Sequence, residues 1–424
     1  MNDTISIANR APWLANKHLQ ALLAALCEGA EEARVVGGAV RNTLMGEKVG
    51  DIDIATTTLP DETARRAAAL GFKAVPTGID HGTVTVVAAG KAYEVTTLRA
   101  DVETDGRRAK VAFGRDWKAD AERRDFTINA LYARADGTVL DPAGDGLRDI
   151  ETRTLRFIGD AETRIREDYL RILRFFRFFA WYGSGRPETE GLKACNRLKE
   201  GLTSLSKERV WEEMKKLLSA PDPSRALLWM RQTGILTLIL PESEKWGIDA
   251  IHGLVRAEQN LGWPADPLLR LMSIVPPDAE RMEALGARLK MSNAERARLE
   301  AWARAGAVEP DLSEQALKKT IYRGNRHAVR DRIQLAYAAA RAEAIGSDKA
   351  MIRAGGFSRL LEAVDGYEAP VFPVTGGDLL ALGVEKGPGL GETLRSLESL
   401  WIESGFKLER EALLSKVDRD KMNN

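Results

Sequence analysis

The stretch VVGGAVRNTLMGEKVGDIDIAT, residues 35–56, decides the fold, because it reads in one short run as strand, tight turn, helix and second strand. Arg34-Val35-Val36 is the first strand, Gly37-Gly38 the turn, and a helix restarts at Ala39. Paired glycines let the backbone approach a ligand where a Cβ would intervene, and the first N–H groups of the following helix favour an anion such as phosphate. Arg41 adds a guanidinium suited to a bidentate phosphate contact. In Asp51-Ile52-Asp53-Ile54 the two-residue period of a strand sets both carboxylates on one face and both isoleucines on the other. Such a carboxylate pair suits a hard cation, and Mg2+ commonly bridges a few carboxylates to the phosphates of a nucleoside triphosphate. An exposed sheet edge would look the same in isolation; the phosphate turn just ahead is what points to nucleotide chemistry.

Outward from this core, Asn16 to Ala30 has helical spacing, Asp61 to Leu70 reads as a helix, and Thr83 to Ala88 and Tyr93 to Thr97 read as strands. Glu94, on a strand able to lie beside the first aspartate strand, is the third acid expected to complete a catalytic set with Asp51 and Asp53. After about Arg153 the strand signals stop. Amphipathic helical windows follow at Arg166 to Trp181, Lys207 to Leu218, Ala279 to Leu289 and Arg330 to Ala344. Pro221-Asp222-Pro223, Pro276-Pro277 and Glu309-Pro310 are expected unit boundaries. The expected fold is an α/β head followed by an all-α remainder.

The chain has 424 residues, enough for several compact units, with 44% hydrophobic and 29% charged residues typical of a globular protein. Lys+Arg and Asp+Glu both number 62, so any nucleic-acid contact must come from local basic clusters. Cys27 and Cys195 are far apart and fit neither a disulfide framework nor a zinc site. The segment Met1 to Leu14 lacks the apolar core of a signal peptide, and no run approaches the ~20 apolar residues of a membrane span. A cytoplasmic protein with no membrane partner is expected.

Two further clusters carry chemistry. In Arg123-Arg124-Asp125-Phe126-Thr127-Ile128-Asn129 the arginines would neutralise triphosphate charge and Asp125 and Asn129 would bond ribose hydroxyls, or else the segment is a solvated salt-bridge cluster. In Glu167-Asp168-Tyr169-Leu170-Arg171-Ile172-Leu173-Arg174, read as one helix, Glu167, Asp168, Arg171 and Arg174 fall on neighbouring ridges, with Arg177 rotated away. A carboxylate only accepts hydrogen bonds and a guanidinium only donates them. An ordinary salt-bridge face of a helix would look the same; as a site, Asp168 with Arg171 would complement the amino group and ring nitrogen shared by cytosine and adenine, and mismatch the carbonyl and ring N–H of guanine and uracil.

These segments are GGAVRN at 37–42, DIDIAT at 51–56, HGTVTVV at 81–87, YEVTTLR at 93–99, RRDFTINAL at 123–131 and EDYLRILRFFRF at 167–178. In this order they resemble the class II tRNA nucleotidyltransferases, or CCA-adding enzymes, with their relatives the bacterial poly(A) polymerases. The resemblance implies a polymerase-β-like nucleotidyltransferase head at 31–155, preceded by an N-terminal helix at 1–30 packing on it. It further implies a nucleotide-selecting neck at 156–220, a helical body at 221–310 and a tRNA-binding tail at 311–424. It makes Asp51 and Asp53 the metal ligands, Glu94 the third carboxylate, and Asp168 with Arg171 the base readers, Glu167 restraining the arginine. Arg124 and Arg174 become triphosphate contacts, and Asp125 and Asn129 ribose and triphosphate contacts. Substrates would be CTP and ATP and the partner the tRNA 3′ end, held in the helical half by its backbone and shape.

Asp101 to Gly114 would be the family's flexible loop, whose presence argues against an enzyme adding only CC. Asn42 departs from relatives that carry aspartate there. Lys386 to Gly391 would be either a plain turn or a source of backbone amides for a phosphate. HGTVTVV favours CCA addition over a poly(A) polymerase; an enzyme adding only the terminal A, and a non-catalytic RNA-binding protein, remain as alternatives. His18, His81, His252 and His327 are scattered, which gives no sign of a fused metal phosphohydrolase.

Overall fold

The computed structural model describes residues 5–78, 82–105, 108–244, 246–344 and 347–417, which fall into two compact units, 1–239 and 240–424. His81 of the HGTVTVV segment and Gly106 and Arg107 of the expected loop lie outside the described residues.

The first unit starts with α1 (Lys17–Leu26), capped by Asn16, whose side chain accepts from the N–H groups of His18 and Leu19. Its apolar face is buried against β1 (Ala33–Val36) and the neighbouring α3 (Pro60–Ala69), and Trp13 just ahead donates its indole N–H to Thr43 at 2.9 Å. Between β1 and α3 come α2 (Gly38–Met45) and β2 (Ile52–Thr56). Four further strands follow: β3 (Lys73–Gly78), β4 (Thr83–Ala88), β5 (Lys91–Thr97) and β6 (Arg99–Asp105). Next are β7 (Arg108–Phe113), α4 (Trp117–Glu122), β8 (Tyr132–Ala133) and β9 (Val139–Leu140). Seven strands make one mixed sheet in the order β3-β4-β5-β2-β1-β8-β9. β6 and β7 form a separate antiparallel ribbon, which is the form taken by most of the expected loop.

Ile52 and Ile54 of β2 are each 1% exposed, so the alternation read from the sequence holds and the aspartate face is turned away from the core. β2 runs parallel to β5 with Asp53 opposite Glu94, so the two carboxylates leave the sheet on the same face. Five strands are additions to those expected: β3, β8 and β9 of the sheet, and β6 and β7 of the ribbon.

The unit continues with α5 (Gly146–Glu151), α6 (Ala161–Glu167), α7 (Leu170–Tyr182), α8 (Thr189–Arg197), α9 (Lys207–Leu218), α10 (Ser224–Gln232) and α11 (Ile235–Ile239). Phe175 and Phe178 of α7 lie 6.3 and 5.3 Å from Phe126, and Phe157 stacks on Phe175 at 5.5 Å. This aromatic block seats α7 against the sheet's helical margin and fixes the cleft between them.

The second unit is helical throughout its described residues, from α12 (Ala250–Leu261), α13 (Pro267–Ser273), α14 (Ala279–Arg288) and α15 (Asn293–Arg304) to α16 (Glu314–Arg323), α17 (Arg326–Glu343) and α18 (Asp348–Asp365). It ends with α19 (Gly376–Ala381), α20 (Pro388–Glu403) and α21 (Arg410–Leu414). Leu317, Ile333, Phe357 and Leu360 anchor one of its cores, and Leu379, Leu397 and Trp401 another. Pro388 occupies the first helical position of α20, so the glycines of Lys386 to Gly391 start a helix.

Candidate active site

A cleft of about 460 Å3 in the first unit is lined by Gly37, Gly38, Arg41, Asp53, Arg124, Asp125, Asn129, Asp168, Arg171 and Arg174, with Leu170, Phe178 and Arg209. Asp51 and Glu94 are not in that lining: Asp51 is exposed immediately before β2, and Glu94 is exposed on β5 beside Asp53.

Gly37 takes φ +69°, a conformation that glycine adopts without strain, and donates its N–H to Leu131 O at 3.0 Å. Its amide is therefore spent on the fold, and Gly38 at the start of α2 is the residue whose N–H remains to face an anion at the helix N-terminus. Arg41 is not a solvent-facing cation. It is 7% exposed, donates to Asn129 Oδ1 and, at 2.8 Å, to Tyr182 Oη, and lies 4.1 Å over the Tyr182 ring. Burial lowers its pKa from the usual arginine value, Tyr182 acting against that. Its Nε donates to Asn42 Oδ1, while Asn42 Nδ2 donates to Lys48 O. An aspartate at 42 could accept the first bond but not make the second.

Asp125 is the hub of the cleft. Oδ1 accepts from Phe126 N and Asn129 Nδ2, both at 2.9 Å, and Oδ2 accepts from Arg174 Nε at 2.8 Å and Nη2 at 2.5 Å. Burial works to raise its pKa, but the Arg174 charge and these hydrogen bonds hold it below the usual carboxylate range. A chain thus runs from Arg174 through Asp125 and Asn129 to Arg41 and Tyr182, orienting these polar groups along one side of the cavity. Arg124 is aimed separately. Asp120, 1% exposed, accepts from Arg124 at 3.1 Å, from Arg123 Nε at 2.8 Å and from Tyr132 Oη at 2.7 Å. Arg123 does not line the cleft.

The single helix expected over Arg166 to Trp181 is two helices. At Asp168 the backbone is extended, with φ −154° and ψ 107°, separating α6 from α7. The cause is local: Asp168 Oδ1 accepts from Leu170 N at 3.1 Å and Oδ2 from Arg209 Nη2 at 2.7 Å, bonds a helical conformation there would not offer. The break turns the carboxylate into the cleft beside Arg171 instead of along a helix ridge. Arg171 Nη1 is held by Glu167 Oε2 at 2.5 Å and Arg164 O at 2.8 Å. Arg177 pairs with Glu213 at 2.6 Å, away from the cavity.

Asp53 carries a raised pKa, first from burial and then from the neighbouring Glu94 and Asp51 charges, with Arg124 opposing. A half-buried carboxylate beside two acids, only partly offset by Arg124, is an electrostatic setting that favours a cation. Among the described residues no three carboxylate, histidine or cysteine side chains are gathered tightly enough to hold an ion by themselves. The donor set fits an ion completed by substrate phosphates, the habit of magnesium. Arg41, Arg124, Arg171, Arg174 and Arg209 outnumber Asp53, Asp125 and Asp168 around the cleft, which suits a polyanion. Arg209, Asp120 and Tyr182 were not singled out from the sequence. Arg209 and Tyr182 act on partners distant in the chain, and nothing local marks them; Asp120 lies three and four residues ahead of Arg123 and Arg124, a local spacing that could have found it.

The profile described as Poly A polymerase head domain matches residues 33–156, and that described as Probable RNA and SrmB-binding site of polymerase A matches residues 186–246. The chain is 32% identical to CCA tRNA nucleotidyltransferase 1, mitochondrial, of Danio rerio, over 92% of this chain and 87% of that one. It is 33% identical to the CCA-adding enzyme of Leuconostoc mesenteroides, over 93% and 94% of the two chains. Among solved structures, the Bacillus stearothermophilus CCA-adding enzyme in complex with CTP superposes with a TM-score of 0.71 at 27% identity, covering 96% of this chain and 99% of that one.

Proposed function

This chain belongs to the CCA tRNA nucleotidyltransferases, the class II CCA-adding enzymes, and on that premise we propose how its cleft selects CTP and ATP and joins them to the 3′ end of tRNA. It is a nucleotidyltransferase, adding C, C and A in turn. The observation that carries the residue-level reading is one cavity holding the glycine turn, Asp53, Asp125, and Asp168 with Arg171.

The tRNA 3′-oxygen attacks the α-phosphorus in line; the new O–P bond forms as the α–β phosphoanhydride bond breaks, pyrophosphate leaves, and the hydroxyl proton passes to solvent. Gly38 at the N-terminus of α2, with Arg124 and Arg174, binds the triphosphate, Arg174 exchanging part of its bond to Asp125 for phosphate. Arg41 holds Asn129, and Asn129 with Asp125 then positions the ribose. Asp51 and Asp53, with Glu94 alongside, would hold magnesium, which when bound supplies charge neutralisation and polarisation at the reacting phosphate. Asp168 accepts the amino group of cytosine or adenine and Arg171 donates to its ring nitrogen, so selection needs no nucleic-acid template. Leaving such groups unpaired against guanine or uracil discriminates by roughly 10⁴-fold.

Within this reading the head spans 31–155 with helix 1–30 on it, the neck 156–220, the body 221–310 and the tRNA-binding tail 311–424. No helix among the described residues is long and apolar enough to cross a membrane, and we assign the protein to the cytoplasm, a placement cell fractionation would test.

The test of the function is to supply CTP, ATP and magnesium with tRNAs ending before CCA, after C and after CC, and to size the products. Completion at CCA on all three is expected. A long A tail would replace the reading with a poly(A) polymerase, extension of only the CC-ending tRNA with an A-adding enzyme, and tight binding without extension with a non-catalytic RNA binder.

A further inference from the structure

The second unit contains a cleft of about 430 Å3 that none of the chemistry above uses. One wall is a single face of α17, because His327, Arg330, Asp331 and Gln334 recur at helical spacing and all border the cavity. The cleft is also bordered by the turn between α12 and α13, where Trp263 is half-buried and Pro264 is exposed, and by Leu269 of α13, which together form an apolar surface.

Gln334 is the telling residue. It is 4% exposed, it borders the cleft, and its amide makes no hydrogen bond among the described residues. The amide is not sealed from water: the little of Gln334 that is exposed opens into the cleft, where it can offer a ligand both a donor and an acceptor. The charges in the cleft are already matched. Arg298 is clamped by Asp331, through two bonds of 2.9 Å, and by Asp266 at 2.6 Å, and Arg330 pairs with Asp365 at 2.7 Å. A triphosphate would find no surplus positive charge there, whereas a flat, uncharged heterocycle would find an indole beside it and an amide at its edge. Only the rim is suited to a phosphate: His327 is exposed, and Arg330 keeps about a third of its side chain in solvent.

We propose that this cleft receives one unstacked base of the tRNA, with its edge hydrogen-bonded to the Gln334 amide, its face against Trp263, and its own phosphate at His327 and Arg330. Aromatic faces and side-chain amides are the usual means by which proteins hold splayed RNA bases, and the cavity's volume is within the range of sites for small planar ligands. The proposal rests on the reading of the chain as a tRNA-extending enzyme and adds to it a base-specific anchor remote from the reacting phosphate.

Gln334→Leu preserves size and removes the amide. The full-length variant should raise both the KM and the Kd for tRNA by about tenfold, the scale of one bidentate base contact, while kcat, the KM for CTP and ATP and the melting temperature stay near the parent values. His327→Ala, at the exposed rim, should weaken tRNA binding a few-fold whether or not the buried substitution folds. Ultraviolet crosslinking of bound tRNA should label the peptide carrying Trp263. An active parent enzyme whose tRNA KM and Kd are unmoved by both substitutions would overturn the base pocket and leave the proposed function standing. A shift in the KM for free nucleotide without one for tRNA would also overturn it, making the occupant a mononucleotide. A parent enzyme that extends no tRNA would instead bring down the functional reading on which the pocket rests.

Discussion

Asp53 concentrates the opposition between stability and function in one side chain. Its folded pKa lies above the ordinary aspartate value, so between the two the folded state binds more protons than the unfolded chain, and stability falls as pH rises through that window. Asp53→Asn should therefore abolish nucleotide addition yet raise the melting temperature at pH 7 without divalent cation, the gain vanishing below pH 4; differential scanning calorimetry across pH would check it. Magnesium with nucleotide should stabilise the parent and fail to stabilise the variant. Asp168 has a different vulnerability, since its partner is Arg209, 2.7 Å away on another helix. Arg209→Ala frees the carboxylate to wander, and incorporation of C and A should lose selectivity over G and U by about tenfold, with Asp168→Ala losing more; single-turnover assays with each nucleotide would decide. Asp53 and Asp125, with Arg171 and Arg174 of α7, were legible as polar groups of one cleft because local spacing displays them, whereas Asp51 and Glu94, as easily read, stand outside its lining. Arg209 was not legible, because its importance lies in a bond to a residue that folding, and not sequence, brings near; Asp120 went unread although its two arginines follow three and four residues on.

At the scale of elements, periodicity sufficed where one face of a segment is buried. β2, β4 and α9 fall where alternation or helical spacing set them. β3 escaped because its residues Lys73 to Gly78 are all half-buried or exposed and include Pro76, giving no alternation to read. The interruption at Asp168 escaped for a related reason: the apolar pattern of α7 continues smoothly upstream, and only the side-chain bonds of Asp168 stop the helix. Gly37 shows how narrowly an element junction can be specified. A Cβ there would meet nothing closer than Asn129 O at 3.6 Å, so the cost of Gly37→Ala is conformational, not steric. At φ +69° and ψ −116°, outside the left-handed helical region, that cost is about 1–3 kcal/mol, and the strained turn should also shift the start of α2 under the triphosphate. We expect a drop of a few degrees in melting temperature with a larger proportional rise in the KM for CTP and ATP; equal KM values would mean that the turn does not touch phosphate.

For the molecule as a whole, a net charge of zero conceals local imbalance that composition could not report: five arginines face three aspartates around the cleft, while in the second unit Glu258 with Arg270 and Asp331 with Arg298 form internal pairs. The most buried pair is Glu258 with Arg270, 2.6 Å apart, with side chains 4% and 2% exposed. Burial raises the Glu258 pKa and Arg270 opposes that rise, so the glutamate depends on its arginine to stay charged in the core. Removing only the arginine leaves a buried carboxylate uncompensated, a loss of about 3–5 kcal/mol. In Arg270→Leu the folded pKa of Glu258 should climb further. The folded state then holds a proton that the unfolded chain releases above the ordinary glutamate value, so the deficit should be smallest near pH 5 and grow towards pH 8. Replacing both residues by leucine removes the charge along with its partner and should recover much of the loss. Urea denaturation of the three proteins at both pH values, followed by far-ultraviolet circular dichroism, measures this directly. A deficit independent of pH would mean that Arg270 contributes by packing and not by holding the glutamate ionised.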